Sequence, residues 1–408
     1  MKKYTYFLYI ALFAFITSCS NDLVDGISSN QENKINVEKQ VSLDEAKAFV
    51  DKFMTSRANS DISLKKKSFL ANNDYDILPI TSESGTVVMY SINYNDNGGY
   101  LLLSADKEDK TILALNDSGR FDMSSIRNNP AMNSWLQEKS LEIEKSLISK
   151  VNIENQKYGL WNYITNEQDT IVEIQFIVDK NTDGKNTKSH KGSYNLPWVN
   201  PSTGTVVQWG QQSPYNYHAK VSGALAGCPA VAVGMLCFNY SYPYNSNWPY
   251  WYMPYKLTST GDNHIARMFR DIADQIPDYT WGTNASGAMP NDIVTGIKRL
   301  GYEDVRMINY DFRTVHTNLV RGYPVLIGGY ASIYGGGHIW YCDGYKEITY
   351  HVKRTVLGIV VDSWYEYEDM LYMNWGWNGD SNGWYNETDF GGMYNVQRQI
   401  YVNLYPPY

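Results

Sequence analysis

Residues able to do covalent chemistry are few in this 408-residue chain, which has only four cysteines and six histidines. Cys228 lies in Ala224-Leu225-Ala226-Gly227-Cys228-Pro229-Ala230-Val231-Ala232. Gly227 permits a tight turn, Pro229 suits the first helical position, and a run of small apolar residues follows. The pattern predicts Cys228 at a helix N-terminus, where unpaired N–H groups and the helix dipole favour a thiolate. A buried structural cysteine would fit the same residues.

A cysteine nucleophile needs a base that is distant in sequence and near in space. His338 follows Gly335-Gly336-Gly337 and enters a predicted short strand that ends in a turn at Asp343-Gly344. Its glycine collar leaves room for a substrate backbone, although a lone strand histidine is usually a bonded core residue. A third segment, Leu371-Tyr372-Met373-Asn374-Trp375-Gly376-Trp377, reads as a strand entering a glycine-rich turn. From there Asn374 can accept from the imidazole and fix its tautomer, with Trp375 shielding that bond from water. A strand-end turn braced by aromatics is the plainer reading. The order Cys, His, Asn is that of papain-like proteases.

These segments must be positioned by two folded units. Net charge is −8, so a nucleic-acid partner, which needs a basic surface, is not expected. Lys2 and Lys3 precede a short apolar run, Tyr6 to Phe15, closed by Ile16-Thr17-Ser18-Cys19. That is a signal peptide, and the small residues before Cys19 resemble a bacterial lipobox, making Cys19 the expected lipidation site. An ordinary secretory signal with an incidental Cys19 is the alternative.

The expected organisation is a leader over 1–19, a flexible tether over 20–41, and an α+β unit over 42–180. A linker over 181–198 and a second unit over 199–408 follow. Ser42 and Glu45 form a capping box for a helix. Thr86–Tyr94 and Tyr100–Ala105 alternate as strands around a turn. Asn129-Pro130 starts a helix to about Ser149, and Ile171–Val178 reads as a strand. The composition changes near residue 190, before which lie only two of the 12 tryptophans, Trp135 and Trp161. Asp179–Tyr194 is polar and lysine-bearing, an exposed and protease-sensitive stretch.

Asp179-x-Asn181-x-Asp183-Gly184 begins like a calcium loop, but His190 stands where a bidentate Glu is needed, so an Asx-rich turn is preferred. Asn378-x-Asp380-x-Asn382-Gly383 is weaker still. No metal or organic cofactor is expected. Cys237 and Cys342 are expected as buried free thiols rather than a disulfide.

The three segments, together with Gln208-Trp209-Gly210-Gln211-Gln212-Ser213-Pro214-Tyr215-Asn216, resemble the streptopain family of cysteine peptidases (peptidase family C10). The region from about 42 to 180 resembles that family's propeptide, notably at Asn97–Asp106. The resemblance implies an α+β, papain-like two-lobed catalytic domain, a helical lobe plus a twisted antiparallel sheet, behind an α+β inhibitory pro-domain. It implies Cys228 as nucleophile, His338 as general base and then acid, Gln211 as a side-chain oxyanion donor, and Asn374 with Trp375 as orienter and cover. An oxyanion donor of this kind is typically worth about 2.7–4 kcal/mol in the transition state. Departures fall after the cysteine, at Pro229, Val231, Val233 and Met235, and bear on helix packing rather than on the chemical groups.

The function expected is a bacterial cysteine endopeptidase made as a zymogen, acting on proteins or peptides and held by its own pro-domain. It would be exported as an outer-membrane or cell-surface lipoprotein, touching membrane only through its N-terminal lipid and released on maturation. Two other readings use the same features: a papain-like cell-wall amidase, and a non-enzymatic adhesin on a degenerate protease scaffold.

Overall fold

The computed structural model describes residues 35–60, 75–95, 97–116, 118–128, 130–149, 161, 170–175, 207–332, 335–387, 394 and 396–407. The chain divides after Lys34, and all described residues belong to the unit Ile35–Tyr408. Cys19, the linker over 181–198 and the partial calcium loop at Asp179–His190 lie outside the described residues.

In the N-terminal part, helix α1 (Leu43–Ser60) begins as its capping box requires. The Ser42 N–H donates to Glu45 Oε2 at 2.7 Å, and the Glu45 N–H donates back to Ser42 Oγ at 3.2 Å. Strands β1 (Tyr75–Thr81), β2 (Val87–Tyr94), β3 (Tyr100–Ser104) and β4 (Ile112–Asn116) form an antiparallel meander. Helices α2 (Met123–Asn128) and α3 (Pro130–Ile148) follow, then strand β5 (Thr170–Gln175). The stretch expected to be tether is already packed by residue 35. The Asn36 N–H donates to Leu147 O, and Lys39, 4% exposed, pairs with Glu108 at 2.7 Å.

The C-terminal part has helices α4 (Cys228–Tyr240), α5 (His264–Gln275), α6 (Pro290–Arg299) and α7 (Phe312–Val320). Its strands are β6 (Arg306–Asn309), β7 (Val325–Ser332), β8 (Gly335–Val356), β9 (Ile359–Asn374), β10 (Gly383–Asn386) and β11 (Val396–Val402). Helix α4 is buried from Pro229 to Phe238, because small and apolar residues surround its whole circumference. It packs on α5, where Gly234 admits the Phe269 ring, and on β8.

Both parts share one sheet of order β1-β2-β3-β4-β10-β9-β8-β7-β11-β6, with β5 added to the outer half of β8. The joint is β4 against β10, with Leu115 opposite Trp384 and Ala114 opposite Tyr385. Three cores sit around this frame. One surrounds α4 in the helical lobe, and one lies beneath α1 with Phe49, Trp161, Tyr350 and Val352. The third joins Trp135 of α3 to Trp340, Trp375 and Tyr385.

The strand carrying His338 is much longer than its local pattern suggested. The Asp343-Gly344 dipeptide is a bulge, visible as a register shift between Cys342 and Gly344, and β8 continues to Val356. The extra residue is absorbed in the ladder, so the chain need not reverse there.

Candidate active site

Gly227 precedes α4 with φ 92°, a left-handed conformation that disfavours any side chain, and the Tyr279 hydroxyl occupies the space a Cβ would take. The same hydroxyl donates to Ala226 O at 2.6 Å. Cys228 thus stands at the N-terminus of a ten-residue buried helical run, half-buried itself. Its sulfur accepts from the Ile339 N–H of β8, which favours the thiolate, but burial outweighs this and pushes the thiol up to about 11.

His338 is the residue before Ile339, so the helix start and the histidine strand meet. The imidazole nonetheless has other company. Its Nε2–H donates to the Trp375 carbonyl at 3.0 Å, and its ring stacks on Trp377 at 4.9 Å. Trp340 and Tyr394 close the remaining sides at 5.8 and 5.2 Å. Burial among these rings disfavours the cation and lowers His338 to about 4, against the opposing pull of the Trp375 carbonyl. Among the described residues, neither Cys228 nor the Asn374 side chain hydrogen-bonds the His338 ring. The site holds a neutral thiol beside a neutral imidazole.

Asn374 is occupied elsewhere. Its Nδ2 donates to Val207 O at 2.7 Å and its Oδ1 accepts from the Gly376 N–H at 3.3 Å. It therefore ties the segment before Gln208 to the turn after β9. The same turn is held by the Asn378 N–H donating to Trp209 O at 3.0 Å, and by Asn382 Oδ1 accepting from the Trp375 N–H at 3.1 Å. These contacts use the Asn378–Gly383 segment as a structural turn.

Gln211 reaches the loop before α4 through its backbone, its carbonyl accepting from the Ala226 N–H at 2.8 Å. Its side chain is half-buried. Trp375 is 1% exposed and stacks on Trp377 at 5.2 Å, roofing the histidine with its carbonyl and ring. Sequence reasoning missed Trp377, Trp340 and Tyr394 as the histidine's surroundings, and Tyr279 as the lock on the cysteine loop. The unusual tryptophan density after residue 190 was their only visible trace. Cys237 and Cys342 are free thiols buried in separate cores.

The N-terminal part approaches this centre through α3. Trp135 meets Tyr385 edge-on at 6.3 Å, and Tyr385 meets Trp375 at 5.3 Å. After burial, which dominates, the neighbouring charges acting on Tyr394 are those of Cys228 and of Glu138 on α3. A helix of the N-terminal part is thus linked to the histidine through two aromatic rings, Tyr385 and Trp375.

Comparison with known proteins now places this architecture. A family model described as Spi protease inhibitor matches residues 38–143, and that of the Peptidase C10 family matches residues 244–385. The second range includes His338, Asn374 and Trp375 and begins after Gln211 and Cys228. No curated protein matches the chain. Among solved structures, a fragment of Prevotella intermedia prointerpain A shares the fold. It is 18% identical with a TM-score of 0.53, over 82% of this chain and 100% of that one. Active interpain A cysteine protease from the same organism aligns over 49% of this chain and 92% of its own, at 20% identity and a TM-score of 0.39. The matches define a cysteine-type peptidase of α+β fold with an inhibitor-type module ahead of it. The chain carries a streptopain-like cysteine peptidase, peptidase family C10, with its N-terminal pro-domain.

Proposed function

We propose that the protein is an exported bacterial cysteine endopeptidase made as a zymogen, in which Cys228 and His338 perform the chemistry. The observation that carries this is the Cys228 sulfur at a helix start, held against Ile339, the residue after His338. In the active form His338 gives up the Trp375 carbonyl and takes the Cys228 proton. The thiolate attacks the peptide carbonyl carbon, the C–N bond breaks, and the His338 cation protonates the leaving amine. Water then adds to the acyl-enzyme with His338 as base, restoring the thiol. The Cys228 N–H and the Gln211 amide serve the oxyanion, and Asn374 and Trp375 fix the imidazole.

The pairing of a raised thiol with a lowered imidazole supports latency, since both shifts oppose the transfer of the Cys228 proton to His338 that the reaction needs. The pro-domain's α3 packs on the aromatic layer behind His338, which supports its role as intramolecular inhibitor. The leader and Cys19 would place the precursor as a lipoprotein at the outer membrane or cell surface, with cleavage between about Asp179 and Trp198 activating it.

Labelling with an epoxide thiol-protease probe tests the reading. Intact chain should label poorly, chain cut in the linker and separated from its pro-domain should label at Cys228, and Cys228→Ala should not label in either form. Equal labelling of Cys228→Ala and wild type would overturn the assignment.

A further inference from the structure

The hairpin of β8 and β9 runs far past the active site and ends in Val356-Leu357-Gly358-Ile359-Val360-Val361, six residues without a polar side chain. Leu357 is 96% exposed, Ile359 69% and Val360 50%. Ile359 and Val360 are consecutive in a strand and so point to opposite faces, and Val356 sits opposite Ile359 in the ladder. The tip is therefore apolar all round. A hairpin docked on a protein keeps one face for the partner and one for water. A tip with no polar face suits an apolar medium on every side.

The turn carries a second signal. Leu357 at φ 51° and Gly358 at φ 78° form a two-residue turn with both central residues left-handed, a position that favours Asn-Gly. The chain instead keeps a leucine there, strained and almost wholly exposed, with no role inside the fold that repays it. Behind the tip come Lys353 and Arg354 on β8, with Trp364, Tyr365 and Tyr367 on β9. Tyr365 and Tyr367 are about half exposed and stack at 6.5 Å. Aromatics and basic residues behind an aliphatic end match the layering of a bilayer interface. Asp362 lies opposite Arg354 in the register, so the flank has little net charge and insertion must rest on the aliphatic tip.

We propose that the β8–β9 hairpin tip inserts into a lipid bilayer, giving the peptidase domain a membrane contact of its own, independent of Cys19. The two residue pairs next to the turn, Val356 with Ile359 and Thr355 with Val360, reach about 7 Å at ~3.3 Å per residue, within the depth of an interfacial insertion. Membrane contact confined to the N-terminal lipid, as the sequence suggested, would then be incomplete. Linker cleavage would leave the enzyme at the surface.

The test uses residues 35–408, which contain every core described above and lack the leader and Cys19. Wild type should float with phosphatidylcholine vesicles, and the double substitution Leu357→Asn, Ile359→Thr should weaken partitioning at least tenfold. The same variant should unfold at the wild-type temperature or above, since asparagine suits the turn. It should also keep wild-type probe labelling after linker cleavage. Wild type left unbound by both phosphatidylcholine and phosphatidylglycerol vesicles would overturn the proposal. So would a wild-type dimer that the double substitution dissociates, which would assign the tip to a second copy of the chain.

Discussion

The His338 imidazole donates to the Trp375 carbonyl at 3.0 Å while the Cys228 sulfur, at the neighbouring strand position, accepts from the Ile339 N–H. The two groups that the proposed mechanism pairs are thus each bonded to backbone. The imidazole also lies among the rings of Trp377, Trp340 and Tyr394.

Thiol reactivity should report this directly. With Cys228 pushed up to about 11 by burial, only about 10⁻⁴ of it is thiolate at pH 7. Iodoacetamide should therefore modify the uncut chain slowly, at a rate that rises with pH up to about 11. Chain cut in the linker and separated from its pro-domain should react fast at neutral pH. A rate-against-pH profile before and after cleavage checks both, with Cys228→Ala correcting for other thiols.

Asn374→Ala should destabilise the latent chain by about 1–3 kcal/mol, the usual cost of a buried acceptor left unpaired. The acceptor is the carbonyl of Val207, which is fully buried. A urea titration measures it. An unchanged midpoint would show that the Val207 carbonyl does not depend on Asn374.

Glu368 should make latent-chain stability depend on pH. It lies on β9, accepts from the Tyr350 hydroxyl at 2.8 Å and, across the domain joint, from the Thr111 N–H at 3.1 Å. Burial dominates and raises it to about 7 from 4.5. Its folded-state value is raised, so the folded chain binds the proton more tightly. Stability is highest below about 4.5 and falls as pH rises through about 7. The full effect is on the order of 3 kcal/mol. Asp343, also buried and raised to about 7, adds in the same direction. Glu368→Gln should flatten the decline between pH 5 and 8 in denaturant melts. An identical slope would remove Glu368 as its source.

Cleaving the linker alone should not free the pro-domain. The β4–β10 and β5–β8 ladders and the shared core around Trp135 do not depend on the linker. Nicked chain should elute as one species from a sizing column under native conditions and as two in denaturant. Separation under native conditions would mean that the joint is held mainly by the covalent connection.

Much of the frame was readable because its signals are local. The Ser42–Glu45 box, the Gly227-Cys228-Pro229 helix start and the Asn129-Pro130 start of α3 each depend on a few adjacent residues. The site's present state was not readable. Trp377 and Tyr394 reach His338 only through the sheet, and Asn374 bonds to a residue 167 positions away. Asp343-Gly344 carries a strong turn signal, yet a bulge absorbed it because β9 continues to pair beyond. The β4–β10 pairing joins segments so far apart that no window of sequence contains both.

That pairing bears on what the enzyme looks like once alone. Two backbone ladders join the halves: Trp384 and Tyr385 of β10 against β4, and Thr349–Arg354 of β8 against β5. Departure of the pro-domain therefore bares one strand edge two residues long and another six residues long. The first offers a poor template for a neighbouring chain, whereas the second is long enough to invite sheet-to-sheet pairing. The freed peptidase is left with one adhesive edge, on the outer half of β8.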